Sequence, residues 1–182
     1  MVLQNYFNHG QGGVFFFGMV NGAGSTITGL FEGNKATEGG VLVADTVDCD
    51  GELTLTGTYT NNAAEDFYGH CGSRGGAITV RRVDGGTTVT IDGTFENNIG
   101  GVFGGVLRND RILNNARINL YGDFTDNTAE DGNIANMRVL ASGSIFHFAP
   151  SNIDTISADD IQFSSDACTD TSTKENVITC EN

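Results

Sequence analysis

The sequence predicts an all-β fold, a right-handed parallel β-helix (β-solenoid) of about five coils. Four segments of similar sequence recur, namely STITGLFEGN (25–34), LTLTGTYTNN (53–62), VTIDGTFENN (89–98) and INLYGDFTDN (118–127). Their aromatic residues stand at positions 31, 59, 95 and 124, so the intervals are 28, 36 and 29 residues. Apolar and polar residues alternate in each segment, as in strands, without helical periodicity. The coils are therefore expected to stack at the usual strand spacing of about 4.8 Å.

A strand is predicted in each of these segments. Positions −6, −4, −2 and 0, counted from the aromatic residue, lie on one face because side chains alternate along a strand. That face reads apolar, apolar, glycine, aromatic in every coil, except for Ser25 at position −6 of the first, so it is expected to point inward. The aromatic residues would form one buried column, made of Phe31, Tyr59, Phe95 and Phe124. The glycine is expected to leave room for a bulky neighbour, or to mark close packing or a bend of the strand.

A corner is predicted after each strand, because an asparagine follows every aromatic residue by three positions. These residues are Asn34, Asn62, Asn98 and Asn127. At equivalent corners of stacked coils, the amide of one side chain can bond the backbone or the amide of the next. We therefore expect an asparagine ladder that satisfies polar groups which the bend would otherwise leave unpaired.

A second strand is predicted after each corner, where glycine precedes a short apolar run. The runs are GGVLV (39–43), GGAITV (75–80), GGVL (104–107) and GNIA (132–135), and GQGGVFFF (10–17) resembles the same element of an earlier coil. Paired glycines permit the positive φ of a sharp turn. We expect a repeat domain over 1–150 and an acidic C-terminal cap or tail over 151–182.

The four cysteines bear on the cellular compartment. Cys168 and Cys180 bracket a polar stretch and are predicted to form a disulfide, and Cys49 and Cys71 flank a predicted strand and form the second predicted pair. An even number of cysteines, high acidity and few lysines favour an extracellular or cell-surface location. Four reduced thiols are the alternative.

Charge and composition exclude several classes of function. The net charge is −14, from 23 acidic and 9 basic residues, and it would repel nucleic acid and anionic lipid. Seven arginines fall within 74–138. No run approaches the roughly 20 apolar residues of a membrane helix. No phosphate-binding loop or nucleophile elbow is present.

Catalysis has one candidate constellation. Asp92 and Asp123 are expected on the same outward face of adjacent coils, near Arg117, and such a carboxyl pair could serve glycoside cleavage. Few other groups converge there, so we predict that the chain is not an enzyme and uses no cofactor. The threonines of the same outward face raise ice binding as a further alternative.

Metal binding is also predicted to be absent. Asp48, Asp50 and Gly51 imitate part of a calcium loop, but Gly57 occupies the position of the closing glutamate. His70–Cys71, with His9 or Cys49, matches no usual zinc spacing. His147, in SIFHF, is expected to face outward from a strand.

The alternation of F-x-x-N with G-G-A-[ILV] resembles the repeats of the chlamydial polymorphic membrane proteins and of related right-handed parallel β-helix passengers. Here the motifs read FEGN…GGVL, YTNN…GGAI, FENN…GGVL and FTDN…GNIA, over roughly 7–140. The second coil carries Tyr59 for Phe, the fourth carries Asn133 for Gly, and no β-barrel translocator is visible. The resemblance implies an extracellular β-helix associated with adhesion and surface display.

The sequence thus predicts a non-catalytic extracellular protein of surface display, adhesion or structural assembly, with a carbohydrate-active enzyme or an ice-binding protein as alternatives. The expected partner is a protein or a second copy bound at the N-terminal edge of the β-helix, where Phe7 and GGVFFF would be exposed, or a surface glycan.

Overall fold

The fold is a stack of parallel strands, as a computed structural model shows for residues 2–3, 10–22, 24–65, 72–141, 143–151, 157, 160–163, 170–174 and 177–181. It confirms the predicted all-β, parallel β-helix of about five coils. In the part of the chain so described, no helix is long and apolar enough to cross a bilayer.

The described chain contains short strands in every coil. In chain order they are β1 (Val2–Leu3), β2 (Phe15–Phe17), β3 (Val20–Asn21), β4 (Ser25–Glu32), β5 (Lys35–Ala36), β6 (Leu42–Asp48), β7 (Glu52–Thr60), β8 (Ala63–Ala64), β9 (Ile78–Val83), β10 (Thr88–Glu96), β11 (Leu107–Ile112), β12 (Arg117–Thr125), β13 (Ala135–Met137), β14 (Ile145–Pro150), β15 (Ile161–Phe163), β16 (Asp170–Lys174) and β17 (Val177–Glu181).

Two large sheets form the walls of the solenoid. The first sheet runs in the order β1-β4-β7-β10-β12-β14-β17-β16, and it contains the four predicted aromatic segments. The second sheet runs in the order β15-β13-β11-β9-β6-β2, with β3 also paired to β6. A third, narrow wall consists of β5 and β8, and single bridges continue it from Ala63 to Ile99 and from Ile99 to Thr128.

The C-terminal region continues the stack and then departs from its parallel pattern. Strand β15 pairs in parallel with β13, so the second sheet extends to Phe163. Strands β17 and β16 form an antiparallel hairpin, and β17 pairs antiparallel with β14 at the end of the first sheet. This hairpin occupies the sheet edge that β14 would otherwise expose.

The register of the first sheet confirms the predicted alignment of the repeats. Phe95 is opposite Tyr59 on one side and Phe124 on the other, and Tyr59 is opposite Phe31. The side chains at this position are fully buried, as are the aliphatic ones that precede them by four residues in the second, third and fourth coils. Ser25, the exception noted in the sequence, is exposed at the first coil.

Of the roles expected for the glycines at position −2, the structure shows close packing. They do not make room for a bulky side chain, because a backbone carbonyl of the adjacent coil fills the space. A Cβ on Gly93 would lie 2.1 Å from the carbonyl oxygen of Gly57, and a Cβ on Gly122 would lie 1.9 Å from that of Gly93. Glycine is thus required for the close approach of stacked backbones.

The Gly–Gly corners divide their roles between the two residues. The first glycine has a positive φ, as at Gly75 (φ 62°) and Gly104 (φ 61°). The second supports stacking, because a Cβ on Gly76 would lie 2.1 Å from the carbonyl oxygen of Gly105. The predicted corner is confirmed, but only the first member of each pair needs the left-handed conformation.

Candidate binding cleft

The predicted asparagine ladder is present and buried. Asn34 Nδ2 donates to Asn62 Oδ1 at 2.9 Å, and Asn98 Nδ2 donates to Asn127 Oδ1 at 2.9 Å. The same Nδ2 of Asn98 also donates to the backbone carbonyl of Tyr59 at 2.9 Å. Each rung therefore joins a corner to the coils on both sides, so these residues are architectural rather than part of a ligand site.

The aromatic column is stacked along the solenoid axis. Ring centroids are 4.9 Å apart for Phe31–Tyr59 and for Tyr59–Phe95, and 5.1 Å apart for Phe95–Phe124. These separations are in the range at which offset stacking adds to the burial of the rings. Burial also raises the pKa of the Tyr59 hydroxyl, which fits a structural residue.

The carboxyl pair considered for catalysis lies diagonally on the first sheet. Asp92 is opposite Tyr121, whereas Asp123 is opposite Thr94, and both carboxyl residues are exposed. Two residues along a strand and one strand across separate their Cα atoms by about 8 Å. Arg117 is opposite Thr88, about 13 Å along the strand from Asp92. The expectation that Arg117 lies near the pair is therefore wrong.

The threonine columns keep the predicted register but not a uniform composition. Thr28 and Thr56 share a hydrogen bond between their hydroxyls at 2.7 Å. The next residue of that column is Asp92, and Tyr121 follows. His147 continues the neighbouring column, half-buried, and its ring meets that of Tyr121 edge-on at 5.6 Å. The polar face thus changes its chemistry from coil to coil.

The corner that resembles a calcium loop is a turn with left-handed residues. Cys49 and Asp50 have φ values of 62° and 55°, and Asp48 Oδ1 accepts the backbone N–H of Cys49 at 2.6 Å. Among the described residues, no group of three or more His, Cys, Asp and Glu is placed to hold a metal ion. Cys49 is exposed and is a free thiol in the structure, contrary to the predicted Cys49–Cys71 pair. Cys71 and Cys168 lie outside the described residues, and only the backbone of Cys180 is described, in β17, so the Cys168–Cys180 pair stays a prediction.

A network of charges on the outward side of the second sheet was not predicted. Arg81, on β9, forms ion pairs with Asp45 of the preceding coil (Nη1–Oδ1 2.5 Å) and with Glu38 (Nη2–Oε2 2.7 Å). Burial lowers the pKa of Arg81, but hydrogen bonds to Glu38 and the charges of both carboxylates outweigh it and raise that pKa. One coil further, Asp110 accepts from Arg108 at 2.8 Å and lies 3.7 Å from Arg74.

Beside this network lies a cleft of about 330 Å³, which we name the arginine cleft. Its cationic residues are Arg74, Arg108 and Arg138. Aromatic and polar side chains complete the described lining, namely Phe103, Asn136, Gln162, Phe163 and the acid Asp131. The register explains the convergence, because Arg108, Asn136 and Gln162 are opposite one another on β11, β13 and β15.

Arg108 forms the floor of the arginine cleft. Only 5 % of its side chain is exposed, and its guanidinium lies 4.7 Å from the ring centroid of Phe103. Its Nη1 donates to Asn136 Oδ1, and its Nε donates to Asp110 Oδ1 at 3.0 Å. Burial lowers the pKa of Arg108; Asp110 opposes this effect, whereas the charges of Arg74 and Arg138 add to it.

One feature of the sequence is related to the arginine cleft, but it does not show where the cleft lies. The concentration of arginines in 74–138 was visible, but Arg74, Arg108 and Arg138 belong to three different coils. No local spacing joins them, because each comes from a non-repeating outward position.

Comparisons of the chain with protein-family models, with curated proteins and with solved structures find no match.

Proposed function

We propose that this chain is a non-catalytic extracellular β-helix that displays a binding surface, in adhesion or in the assembly of a surface structure. The observation that supports this most is the contrast between inward and outward positions. Inward columns repeat one residue type along the stack, as in the stacked aromatic residues, whereas the outward threonine columns end by the fourth coil, where Asn119, Tyr121 and Asp123 take their place. A rigid wall with varied side chains along its length is suited to recognition.

The arrangement of carboxyls supports a non-catalytic role. Asp92 and Asp123 are both exposed and no arginine stands beside Asp92 in the sheet register, so the pair has little to polarise a glycosidic bond. The test is incubation of the chain with neutral and acidic polysaccharides, followed by an assay for new reducing ends. We expect none above the background; product that disappears in Asp92→Asn or Asp123→Asn would establish the carbohydrate-active alternative.

Binding to a surface is tested on the intact chain. The fluorescently labelled 182-residue protein is expected to bind cells or an immobilised glycan panel in a saturable way. A folded chain without the cleft residue, Arg74→Gln, tests whether that binding uses the arginine cleft. Absence of saturable binding to every surface would contradict the display role.

The extracellular location is tested through the cysteines. We expect the mass of the intact protein, treated with an alkylating agent without reductant, to show the predicted Cys168–Cys180 disulfide and an alkylated thiol at Cys49. Alkylation after reduction serves as the control, because all four thiols then react. Four alkylated thiols without reductant would contradict the extracellular proposal.

Assembly at the N-terminal edge is part of the same proposal. In the described residues β1 covers only Leu30 and Phe31 of β4, which leaves Ser25–Gly29 without a strand on that side. Phe16 and Met19 are 50 % and 59 % exposed nearby. Exposed strand edges and apolar side chains favour pairing with a second copy or another coil. Sedimentation is expected to show self-association, and a strictly monomeric chain at high concentration would argue against it.

A further inference from the structure

Two cationic groups of the arginine cleft, Arg74 and Arg108, share one carboxylate among the described residues. Asp110 is shared, since it accepts from Arg108 at 2.8 Å and lies 3.7 Å from Arg74. Among the described residues, the lining contains one acid, Asp131. One carboxylate, that of Asp110, therefore serves both Arg74 and Arg108, on a chain whose net charge is −14. An anionic ligand would balance the positive charge that this shared carboxylate leaves uncompensated.

Arg74 shows where such a ligand would bind. Its Nε is buried and has no hydrogen-bond partner among the described residues. A buried polar group without a partner is costly, and a guanidinium satisfies its Nε best with a carboxylate or a similar oxyanion. The carboxylate of Asp110 is 3.7 Å from Nη1 and does not serve Nε. The side chain of Arg74 is 31 % exposed, so a ligand can reach it from solvent.

Arg108 makes the cleft rigid before any ligand arrives. Its guanidinium is held from three sides, by Asp110, by the amide oxygen of Asn136 and by the ring of Phe103. Side chains that are already ordered lose little further entropy on binding. The cleft is thus preorganised around a fixed positive charge, while the exposed part of Arg74 offers the direct contact.

The uncharged lining limits the class of ligand. The amides of Asn136 and Gln162 offer donors and acceptors of the kind that hydroxyl groups require, and Phe163 offers an apolar surface. A volume of 330 Å³ lies at the lower end of the range of ligand pockets, roughly 300–1,000 Å³, and suits a ligand of one or two sugar rings. A small inorganic anion would leave the amides and the phenyl ring without partners.

We infer that the arginine cleft binds the carboxylate-bearing ring of an acidic sugar of the hexuronic acid class. The carboxylate contacts the Arg74 guanidinium, and the hydroxyls contact the amides of Asn136 and Gln162. This inference rests on the proposed function, because it names the class of glycan that the displayed surface recognises.

The test is a calorimetric titration of the 182-residue chain with sodium glucuronate, with glucose as the uncharged counterpart and inorganic phosphate and sulfate as simple anions. We expect glucuronate to bind with a dissociation constant on the order of 1 mM, and glucose to bind at least about tenfold more weakly. Equal binding of glucose, or binding of phosphate or sulfate but not glucuronate, would overturn the assignment to an acidic sugar.

Matched variants place the binding in the cleft. Arg74→Gln is expected to weaken glucuronate binding about tenfold or more, because it removes a charge-assisted contact. Arg111→Gln removes the same charge from an exposed position of β11 outside the cleft lining, and it should change affinity less than about twofold. Asp131→Asn removes the acid of the lining and should strengthen binding. Equal effects of Arg74→Gln and Arg111→Gln, or weaker binding by Asp131→Asn, would overturn the placement.

The two proposals fail in different ways. If cells or glycans bind the chain and Arg74→Gln binds them equally, the display role stands and the cleft is not its site. If glucuronate binds in the cleft but no surface binds the chain, the cleft stands and the display role is overturned. Circular dichroism of each variant confirms that it is folded. If Arg74→Gln does not fold, Arg138→Gln is used in its place.

Discussion

Asn62 donates both its side-chain amide and its backbone N–H to Asn98 Oδ1, at 3.0 and 3.1 Å. One carbonyl oxygen thus accepts two hydrogen bonds from the preceding coil. Asn98 Nδ2 in turn donates to the backbone carbonyl of Tyr59 and to Asn127 Oδ1. The corner needs a short side chain that accepts two hydrogen bonds and donates two. The Asp carboxylate donates none and the Ser hydroxyl donates only one, which explains why neither replaces Asn in these four coils.

Replacement of Asn98 by alanine is expected to destabilise the fold by about 2–4 kcal/mol. The change leaves the Asn62 N–H and the Tyr59 carbonyl buried without their partners, and each orphaned group carries a desolvation penalty. Urea unfolding measures the loss. Asn21→Ala, at an exposed strand position, is the matched control and should be nearly neutral. Similar midpoints for both variants would show that the ladder does not stabilise the solenoid.

Replacement of Phe95 by alanine should cost about 3–5 kcal/mol, since it removes a fully buried ring from the middle of the aromatic column. The ring stacks on Tyr59 at 4.9 Å and on Phe124 at 5.1 Å, so the cavity has rigid walls. Thermal or denaturant unfolding reports the change. Phe16→Ala, at a side chain that is 50 % exposed, should cost far less, and an equal loss would contradict the assigned core.

Replacement of Gly93 by alanine should destabilise the chain by about 3 kcal/mol or more. The new Cβ would lie 2.1 Å from the carbonyl oxygen of Gly57, a backbone atom that cannot move without separating two coils. Gly18→Ala is the control, because no atom lies within 4 Å of a Cβ there. The comparison uses unfolding midpoints and soluble yield. A stable Gly93→Ala chain would mean that the coils do not stack at this distance.

Stability should fall at acidic pH through Asp84. Its buried carboxylate accepts from Arg82 Nε at 2.9 Å and from Asn114 Nδ2 at 2.6 Å. The hydrogen bond from Arg82 is the largest of the causes that hold the pKa of Asp84 below its ordinary 3.8. It outweighs burial, which raises the same pKa. The folded pKa is thus lower than the unfolded one. The contribution is therefore present above pH 3.8 and is lost as pH falls through the folded pKa.

Asp84→Asn tests this dependence. We expect the variant to unfold at lower urea than the parent at about pH 7. The difference should shrink as pH falls below 3.8, where the carboxyl of the unfolded parent takes up a proton before that of the folded parent. Asp92→Asn, which removes an exposed carboxylate, is the control for the change in net charge. A difference between parent and Asp84→Asn that stays constant down to about pH 2 would contradict the role of the ion pair.

The sequence by itself determined the inward half of this protein. Residues that face the interior of a solenoid meet their own equivalents in the next coil, so one geometry selects one residue type at each level. The column through Tyr59 and Phe95 and the ladder through Asn62 and Asn98 could therefore be predicted from spacing alone. The role of Gly93 could not, because a missing side chain does not indicate whether a side chain or a backbone will occupy the space.

The tertiary structure decided the outward half. Arg74, Arg108 and Arg138 are separated by 34 and 30 residues and stand in different local contexts, yet stacking brings them to one cleft. The fold does not require these outward arginines to repeat from coil to coil, so they carry no periodic signal in the sequence. The register of the strands and the longer interval before Arg74 decide which outward residues come together. Both follow from the way in which whole coils pack.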